Sequence, residues 1–322
     1  MIRLQRRVRI TINEQGPSLD DPTSGGPVPF GPTPGGPTPS GQIADGRAIS
    51  NGFAGVPAMH GLGRHYELVL TVLGEINPVS AYLMDIKDLD AAARQGALPI
   101  LERACREHPG ADVATILAPM FAASAEIVQR RAAERRSTAR LASLRLQLTP
   151  TYAWTLAATR PMLDTGSSNM RAMLRQQFDF AASHRLHVPT LSDEQNRALF
   201  GKCNNPGGHG HNYRVEAVVE VALSDPPQSR VNLHDLERAV HDSIIERFDH
   251  MYLNVDVPEF RQPGGVNPSV EEIARVCYEH LKAALDRGPR RGTLRELTVW
   301  ETDRTSATFS GSALPPGGSE HE

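Results

Sequence analysis

Residues 2 to 12 alternate, with Ile2, Leu4, Val8, Ile10 and Ile12 on one side and Arg3, Gln5, Arg7, Arg9 and Thr11 on the other; Arg6 alone interrupts the apolar row. A period of two with one apolar face predicts a half-buried strand. A second strand is predicted from Tyr66 to about Ile76, and helical segments from Leu89 to about Arg103 and over residues 122 to 140. The arginines of Gln-Arg-Arg-Ala-Ala-Glu-Arg-Arg in the latter read as a solvated face. Between the first two strands, residues 14 to 46 are so dense in Gly and Pro that they predict a poorly ordered insertion.

The pattern restarts near Met173. Phe178, Phe180, Ala182 and His184 share one face of a predicted strand, and Val215, Ala217 and Val219 share one face of another over Tyr213 to Val221. Helical spacing follows at Leu233, Leu236, Val240, Ile244 and Phe248, and again at Val270, Ile273, Val276, Cys277, Leu281 and Leu285. Ser269 stands where it can cap the second of these helices, with Glu272 completing a capping box. Strands from Leu294 to Glu301 and around Thr308 close the unit, whose order of strand, strand, helix, helix, strand, strand is an α+β layout. With residue 56 laid on residue 203, an offset of 147, Phe53, Gly63, Tyr66, Val72, Asp88 and Leu89 fall on Phe200, Gly210, Tyr213, Val219, Asp235 and Leu236. Together with the matching order of elements, these identities point to an internal duplication.

Length and composition bound the chemistry. A chain of 322 residues suits two domains, each with its own core. A formal charge of −3 argues against a nucleic-acid partner. The three cysteines, Cys105, Cys203 and Cys277, do not read as a disulfide framework and suit a reducing compartment. The N-terminus lacks an apolar signal core, and no run reaches the roughly 18 apolar residues of a membrane helix, so a cytoplasmic protein without a membrane partner is expected.

The candidate chemistry is concentrated in Cys203-Asn-Asn-Pro-Gly-Gly-His209-Gly-His211-Asn-Tyr213. Residues two apart on a strand point the same way, so His209 and His211 project together. An isolated pair of this kind is commonly no more than two hydrogen-bonded strand residues. A third imidazole from His184 would instead make a three-histidine set, and three imidazoles on Zn²⁺ leave the fourth position open, the pattern of a catalytic zinc. Cys203, in a turn rich in Asn, Pro and Gly, is a mostly protonated thiol unless a nearby metal or imidazolium acidifies it. Cys277, on an apolar helix face, and Cys105 read as inert. Asp249 and His250, adjacent after a helix, suit a carboxylate-oriented imidazole, although such a dipeptide also arises by chance. Glu301, at a strand end in Val-Trp-Glu-Thr-Asp, is either surface-exposed or a buried carboxylate in need of two donors, as on an aminopyrimidinone.

Several of these blocks together resemble a known family. Phe180-Ala-Ala-Ser-His184-Arg-Leu, the Cys203 to Tyr213 block, Phe248-Asp249-His250, Asn267-Pro-Ser-Val-Glu271 and Val299-Trp-Glu301-Thr-Asp303 resemble, in order and spacing, the 6-pyruvoyl-tetrahydropterin synthase family, including bacterial 6-carboxy-tetrahydropterin synthases. The resemblance implies two tandem tunnelling-fold units, each an antiparallel four-stranded sheet with two helices on one face. The expected layout is a degenerate unit over 1–160 with the insertion at 14–46, a linker at 161–172, a catalytic unit over 173–312 and a disordered tail at 313–322. It implies zinc on His184, His209 and His211, Cys203 as the base that abstracts a side-chain proton, and Asp249 with His250 as its relay. It further implies Glu301 as the pterin anchor, with Ser269 and Glu271 against the ring, where Val270 and Glu272 depart from the more usual Thr and Asn.

The implied reaction is the zinc-dependent conversion of 7,8-dihydroneopterin triphosphate to 6-pyruvoyl-tetrahydropterin with loss of triphosphate. The alternatives are a 6-carboxy product on the way to deazaguanines, an aldolase or epimerase acting on unphosphorylated dihydroneopterin, and a non-catalytic pterin-binding regulator or scaffold. The five residues between Cys203 and His209 resemble the pyruvoyl-forming enzymes, the carboxy-forming ones more often having three. Arg185 and Lys202 are candidate triphosphate contacts, with solvated surface residues the plainer reading. The N-terminal half resembles the family at Gly74-Glu-Ile-Asn-Pro-Val and Met84-Asp-Ile-Lys-Asp-Leu89, but at the same offset Val56, Leu62, Arg64, Glu102 and Arg103 stand for Cys203, His209, His211, Asp249 and His250. Thr151 falls near the counterpart of Glu301, and His60 and His65 are out of register. In the family the cysteine and the Asp-His pair come from neighbouring subunits, so a homotrimer of tandem chains is expected, with a ring of C-terminal halves stacked on a ring of N-terminal halves.

Overall fold

The computed structural model describes residues 1–12, 64–158 and 170–311. The predicted insertion at 14–46, the tail at 313–322 and most of the linker at 161–172 lie outside the described residues. The alternation at the N-terminus becomes β1 (Ile2–Ile12), which pairs antiparallel along its whole length with β2 (Arg64–Gly74). β2 stops at Gly74, short of the predicted Ile76, where a Cβ would come within 2.6 Å of the Leu83 side chain. β3 (Arg140–Thr149) and β4 (Tyr152–Ala157) complete the first half, and β5 (Arg171–His184), β6 (His209–Ala222), β8 (Thr293–Thr302) and β9 (Thr305–Ser310) form the second. A two-residue β7 (Met251–Tyr252) lies parallel to β5, whereas the other pairings are antiparallel.

Between its strand pairs each half carries two helical runs. In the first half these are residues 86–107, with a π-helical turn at Ala92–Ala97, and the helix Val113–Glu134. In the second they are residues 233–248, with a π-helical turn at His241–Ile245, and the helix Val270–Arg287. The helices cover the face of the sheet that presents Leu68, Leu70, Leu144 and Leu146 in one half and Val215, Ala217, Leu297 and Val299 in the other, all fully buried. Burial of such aliphatic side chains at roughly 1.5–3 kcal/mol each is the main stabilising contribution. Off that face, Arg171 and Arg295 both pair with Glu220, and Arg175 pairs with Glu216.

The two halves do not form separate sheets. β4 hydrogen-bonds β5 from Tyr152↔Gln176 to Leu156↔Ala172, so one nine-stranded sheet runs β1-β2-β3-β4-β5-β6-β8-β9 with β7 to the side. This corrects the expected stacking of one ring of halves on another. Halves joined edge to edge must alternate in any ring made by extending their sheet, and the count of three chains deduced from separate rings loses its basis. The halves are also tied by Arg230, whose side chain is only 4% exposed and lies 3.1 Å from Asp112 at the start of the helix Val113–Glu134.

Local departures have local causes. The second helix of the first half begins at Val113, well before residue 122, because Pro119 inside it masks the helical pattern of its first turns. It ends at Glu134, and the chain turns through Arg136 at φ 53° into β3. Ser269 caps Val270–Arg287 by accepting the Glu272 amide, but the predicted reciprocal bond is replaced, since the Glu272 carboxylate binds Arg275 at 2.8 Å. Full capping boxes occur instead at Ser192 with Gln195 and at Asn232 with Asp235.

Candidate metal centre

The β5–β6 register sets His184 opposite His209 and Ala182 opposite His211, so three imidazoles meet at the end of the paired strands. Their ring centroids are 4.5, 5.2 and 4.8 Å apart, and one ligand nitrogen from each lies within 4.8 Å of the others. His184 is fully buried, and its Nδ1 lies 2.6 Å from the carbonyl oxygen of Pro268. A carbonyl can only accept, so Nδ1 carries a hydrogen, and in the ligating form of the ring the lone pair of Nε2 turns inward. That lone pair faces His209 Nε2 at 3.1 Å and Glu301 Oε1 at 3.3 Å, and Glu301 Oε1 also lies 3.6 Å from His211 Nε2.

Inward-facing lone pairs beside a carboxylate repel one another unless a cation lies between them. His211 Nε2 is buried without a hydrogen-bond partner, and burial is the main cause holding both His209 and His211 below the ordinary histidine pKa, which favours neutral, ligating rings. Its contact with His184 first, and then its proximity to His211 and His209, holds the Glu301 carboxyl below its usual range against the opposing effect of burial. The donor set therefore fits a divalent cation, with Pro268 orienting one ligand from behind.

Cys203 sits in a short 3₁₀ turn, Gly201–Asn204, pinned to the end of β5 by Leu186 N–H on the Cys203 carbonyl and by the Asn204 amide on the Leu186 carbonyl. The turn back into β6 passes through Gly208 at φ 72°, where a Cβ would meet the Tyr252 ring at 2.9 Å. Cys203 and His209 line one cavity of about 890 Å³ together with Arg185, Arg197 and Lys202. The Arg185 guanidinium is braced by the Asn204 carbonyl at 3.1 Å and that of Arg197 by the Asp193 carbonyl at 3.3 Å, so the thiol and one imidazole of the candidate centre, His209, share a cavity with three cations.

Asp249 and His250 form the expected pair, His250 Nδ1 to Asp249 Oδ2 at 2.8 Å. The other Asp249 oxygen accepts the Ala181 amide at 2.8 Å; this bond first, then the one from His250, holds the carboxyl below its usual range. His250 adopts φ 60° and its side chain is 83% exposed, opening onto a depression lined by His211 rather than onto the Cys203 cavity. Ser269 is engaged as a helix cap next to the Pro268 carbonyl, and Glu271 is exposed on the first turn of that helix. Glu301 is turned toward the histidines rather than into an open pocket.

Three groups escaped the reading of the sequence. The Pro268 carbonyl has no side-chain signature, although it lies inside the Asn-Pro-Ser-Val-Glu block. Tyr213, fully buried below His211 with ring centroids 5.5 Å apart, has a hydroxyl without a partner and a phenol pushed far upward by burial first and by Glu301 second. It continues the His209, His211 alternation, which was the available signal. Arg197 belongs to the helix Asp193–Phe200, too short and polar for periodicity to reveal. In the N-terminal half Arg64 begins β2 where His211 begins the site in β6, Glu102 and Arg103 lie on a helix, Thr151 turns between β3 and β4, and Val56, His60 and Leu62 lie outside the described residues.

Comparison with known proteins falls on the half that carries this centre. Residues 173–312 match the model of a family described as 6-pyruvoyl tetrahydropterin synthase. The 6-pyruvoyl tetrahydrobiopterin synthase of Homo sapiens is 36% identical over 146 residues, covering 45% of this chain and 96% of the human protein. The 6-carboxy-5,6,7,8-tetrahydropterin synthase of Bacillus subtilis (strain 168) is 29% identical over 114 residues, covering 35% of this chain and 73% of that protein. The solved 6-pyruvoyl tetrahydropterin synthase of Caenorhabditis elegans is similar with a TM-score of 0.40 and 31% identity, over 44% of this chain and 96% of its own.

Proposed function

Because the chain belongs to the 6-pyruvoyl tetrahydropterin synthase family, we propose that its C-terminal half is a zinc-dependent lyase acting on 7,8-dihydroneopterin triphosphate, releasing triphosphate and forming 6-pyruvoyl-tetrahydropterin. The observation that carries this reading is the convergence of His184, His209 and His211, with His209 lining the cavity that also holds the Cys203 thiol. His184, His209 and His211 are the zinc ligands, and bound zinc supplies Lewis-acid polarisation to the side-chain oxygens of the pterin. Cys203 takes a proton from a carbon bearing one of those oxygens; the electron pair released beside the ring passes into its C=N bond, giving the tetrahydro ring, and the pair released at the next carbon expels triphosphate. Arg185, Arg197 and Lys202 receive the leaving polyphosphate as charge-matched donors. Asp249 keeps His250 oriented as a second proton carrier.

Glu301 anchors the pterin amidine, with Ser269 and Glu271 beside the ring. Its carboxylate, now close to His184 and His211, is near enough to the centre to hold the heterocycle with its side chain toward the metal. The higher identity to the human enzyme and the five-residue spacing between Cys203 and His209 favour the pyruvoyl over the carboxy product.

We place a second, degenerate tunnelling-fold unit in the N-terminal half, supported by its repetition of two strands, two helical runs and two strands. The protein works as a homo-oligomer in this reading, because Cys203 and His250 open onto different cavities of one chain. The test is incubation of the zinc-loaded protein with 7,8-dihydroneopterin triphosphate. Triphosphate release that Cys203→Ala abolishes supports the lyase, the mass of the pterin separates pyruvoyl from carboxy, and no release while the pterin stays bound points to a regulator. Mixing the inactive Cys203→Ala and His250→Ala chains restores activity if the two groups meet across chains, and leaves the mixture inactive if they do not.

A further inference from the structure

The run 233–248 and the helix Val270–Arg287 lie antiparallel. Arg290 reaches Asp235 at 3.1 Å at one end, and Arg247 and His280 both bind Glu259, at 2.8 and 2.6 Å, at the other. A cleft of about 340 Å³ opens between them, with no lining residue in common with the cavities at Cys203 and His250. Its polar lining is dominated by Arg238, Arg247, Arg287 and Arg290 against Asp235 and Asp242, and its apolar lining includes Val231, Ala239 and Leu285.

The charges do not cancel. Asp235 Oδ2 is taken by the Asn232 amide at 3.1 Å and by Arg290 at 3.1 Å, and Asp242 is 3.2 Å from His241 Nδ1. Arg247 is neutralised by Glu259, yet its Nε is buried without an acceptor. Arg238 donates to His234 Nε2 at 2.8 Å, which must therefore be a lone pair on a neutral ring, so its charge is uncompensated. Among the described residues no carboxylate pairs with Arg287 within 4 Å. Arg238 and Arg287, planar five-donor forks, thus outnumber the single carboxylate that no arginine meets, Asp242, and leave one small-molecule-sized cleft with an apolar floor net positive.

The same corner of the N-terminal half serves as an internal control. Asp88, the counterpart of Asp235, is met by Arg135 at 2.5 Å and by Arg131 at 3.8 Å, so there the aspartate absorbs the arginines at the end of the second helix. In the C-terminal half Arg290 alone does this, and the remaining guanidinium groups are left for something else.

We propose that this cleft binds a small phosphate monoester of about mononucleotide size, its phosphate held by Arg238 and Arg287 and its ring lying on Val231, Ala239 and Leu285. A phosphate presents the planar edges that guanidinium forks bind in pairs, and the site is independent of the pterin chemistry. Titration calorimetry with adenosine 5′-monophosphate, inorganic phosphate and adenosine tests it on the full chain. Binding of the monophosphate, weaker binding of phosphate and none of adenosine is expected. Arg238→Ala with Arg287→Ala should weaken the monophosphate about tenfold or more. Arg287→Ala alone, at an exposed position, should already weaken it measurably with the melting temperature unchanged. Failure of both phosphate probes to bind overturns the proposal. So does an unchanged affinity in the Arg238, Arg287 variant, or a loss produced instead by Arg197→Ala with Lys202→Ala, which would assign the phosphate to the Cys203 cavity.

Discussion

The two halves repeat one order of strands and helical runs and differ in the side chains at their strand ends. Tyr66 in β2 and Tyr213 in β6 occupy corresponding positions, Asp88 and Asp235 open corresponding helical runs, and each first run contains a π-helical turn. At the strand ends the likeness stops, with His209 and His211 beside His184 in one half and Arg64 at the matching place in the other. The scaffold is maintained by interior apolar positions, whereas the candidate chemistry depends on a handful of side chains at strand ends and turns. A half with this order of elements can therefore keep its sheet without carrying the site.

The sharpest way to break the comparison is through the thiols, since each half has one that is partly accessible. Cys203→Ala should lower turnover by about 10³-fold with the fold intact, as expected when a proton-transfer group is removed. Cys105→Ala, which loses a 3.5 Å contact with the Tyr66 hydroxyl, should leave turnover unchanged. Equal loss from both, measured as triphosphate release, would place chemistry in the N-terminal half.

Metal content should divide in the same way. Elemental analysis is expected to find about one zinc per chain, and His184→Ala to remove most of it, because the centre then loses one of three imidazoles. Burial holds His209 and His211 below the ordinary value of 6.5, so both are neutral at pH 7. The ion should therefore be retained near neutrality and released as pH falls through those lowered values, when protons take the ligating lone pairs. Two zinc ions per chain, or retention unchanged by His184→Ala, would contradict this assignment.

How far the sequence revealed these features depended on whether a residue acts through its type or through its backbone. The three histidines, Cys203 and the Asp249–His250 pair were legible because their chemistry is written in the side chain, and β5 and β6 because Phe178, Phe180 and Ala182 in one and Tyr213, Val215, Ala217 and Val219 in the other mark a single face. β3 was not. Its pairing with β2 shifts register at Thr71/Val72, and its buried positions move from odd Leu141 to even Leu144 and Leu146, so no single period fits. The six residues of β4 were too few to count. The Pro268 carbonyl, which fixes the tautomer of His184, is a main-chain atom that any residue could supply. Joining of the halves through β4 and β5 is a property of pairing across a connection, which neither strand records alone.

If the N-terminal half is a folded partner rather than a vestige, core truncation should cost the same in either half. Leu70→Ala and Leu297→Ala, both at fully buried positions on the helix-covered face, are each expected to destabilise by about 2–5 kcal/mol in chemical denaturation. A much smaller cost for Leu70→Ala would mean that the first half contributes little to the measured transition. Asp112→Asn then probes the seam between the halves. Asn still caps the helix Val113–Glu134, so the change isolates the loss of charge opposite the nearly buried Arg230, a cost of about 3 kcal/mol.

The smallest effect is expected at the corresponding cap in the C-terminal half. Ser269→Ala removes the side-chain acceptor for the Glu272 amide, worth about 1 kcal/mol, and no buried charge depends on Ser269 as Arg230 depends on Asp112. The neighbouring Pro268 carbonyl nevertheless holds His184 Nδ1, so a loosened helix start should also relax one ligand of the metal centre. Zinc affinity is expected to fall in Ser269→Ala by more than the helix loss alone predicts, and Ser269→Asp, which restores a capping oxygen, should recover it. A variant that loses stability while its zinc affinity stays at the wild-type value would show that the helix cap and the histidine support are independent.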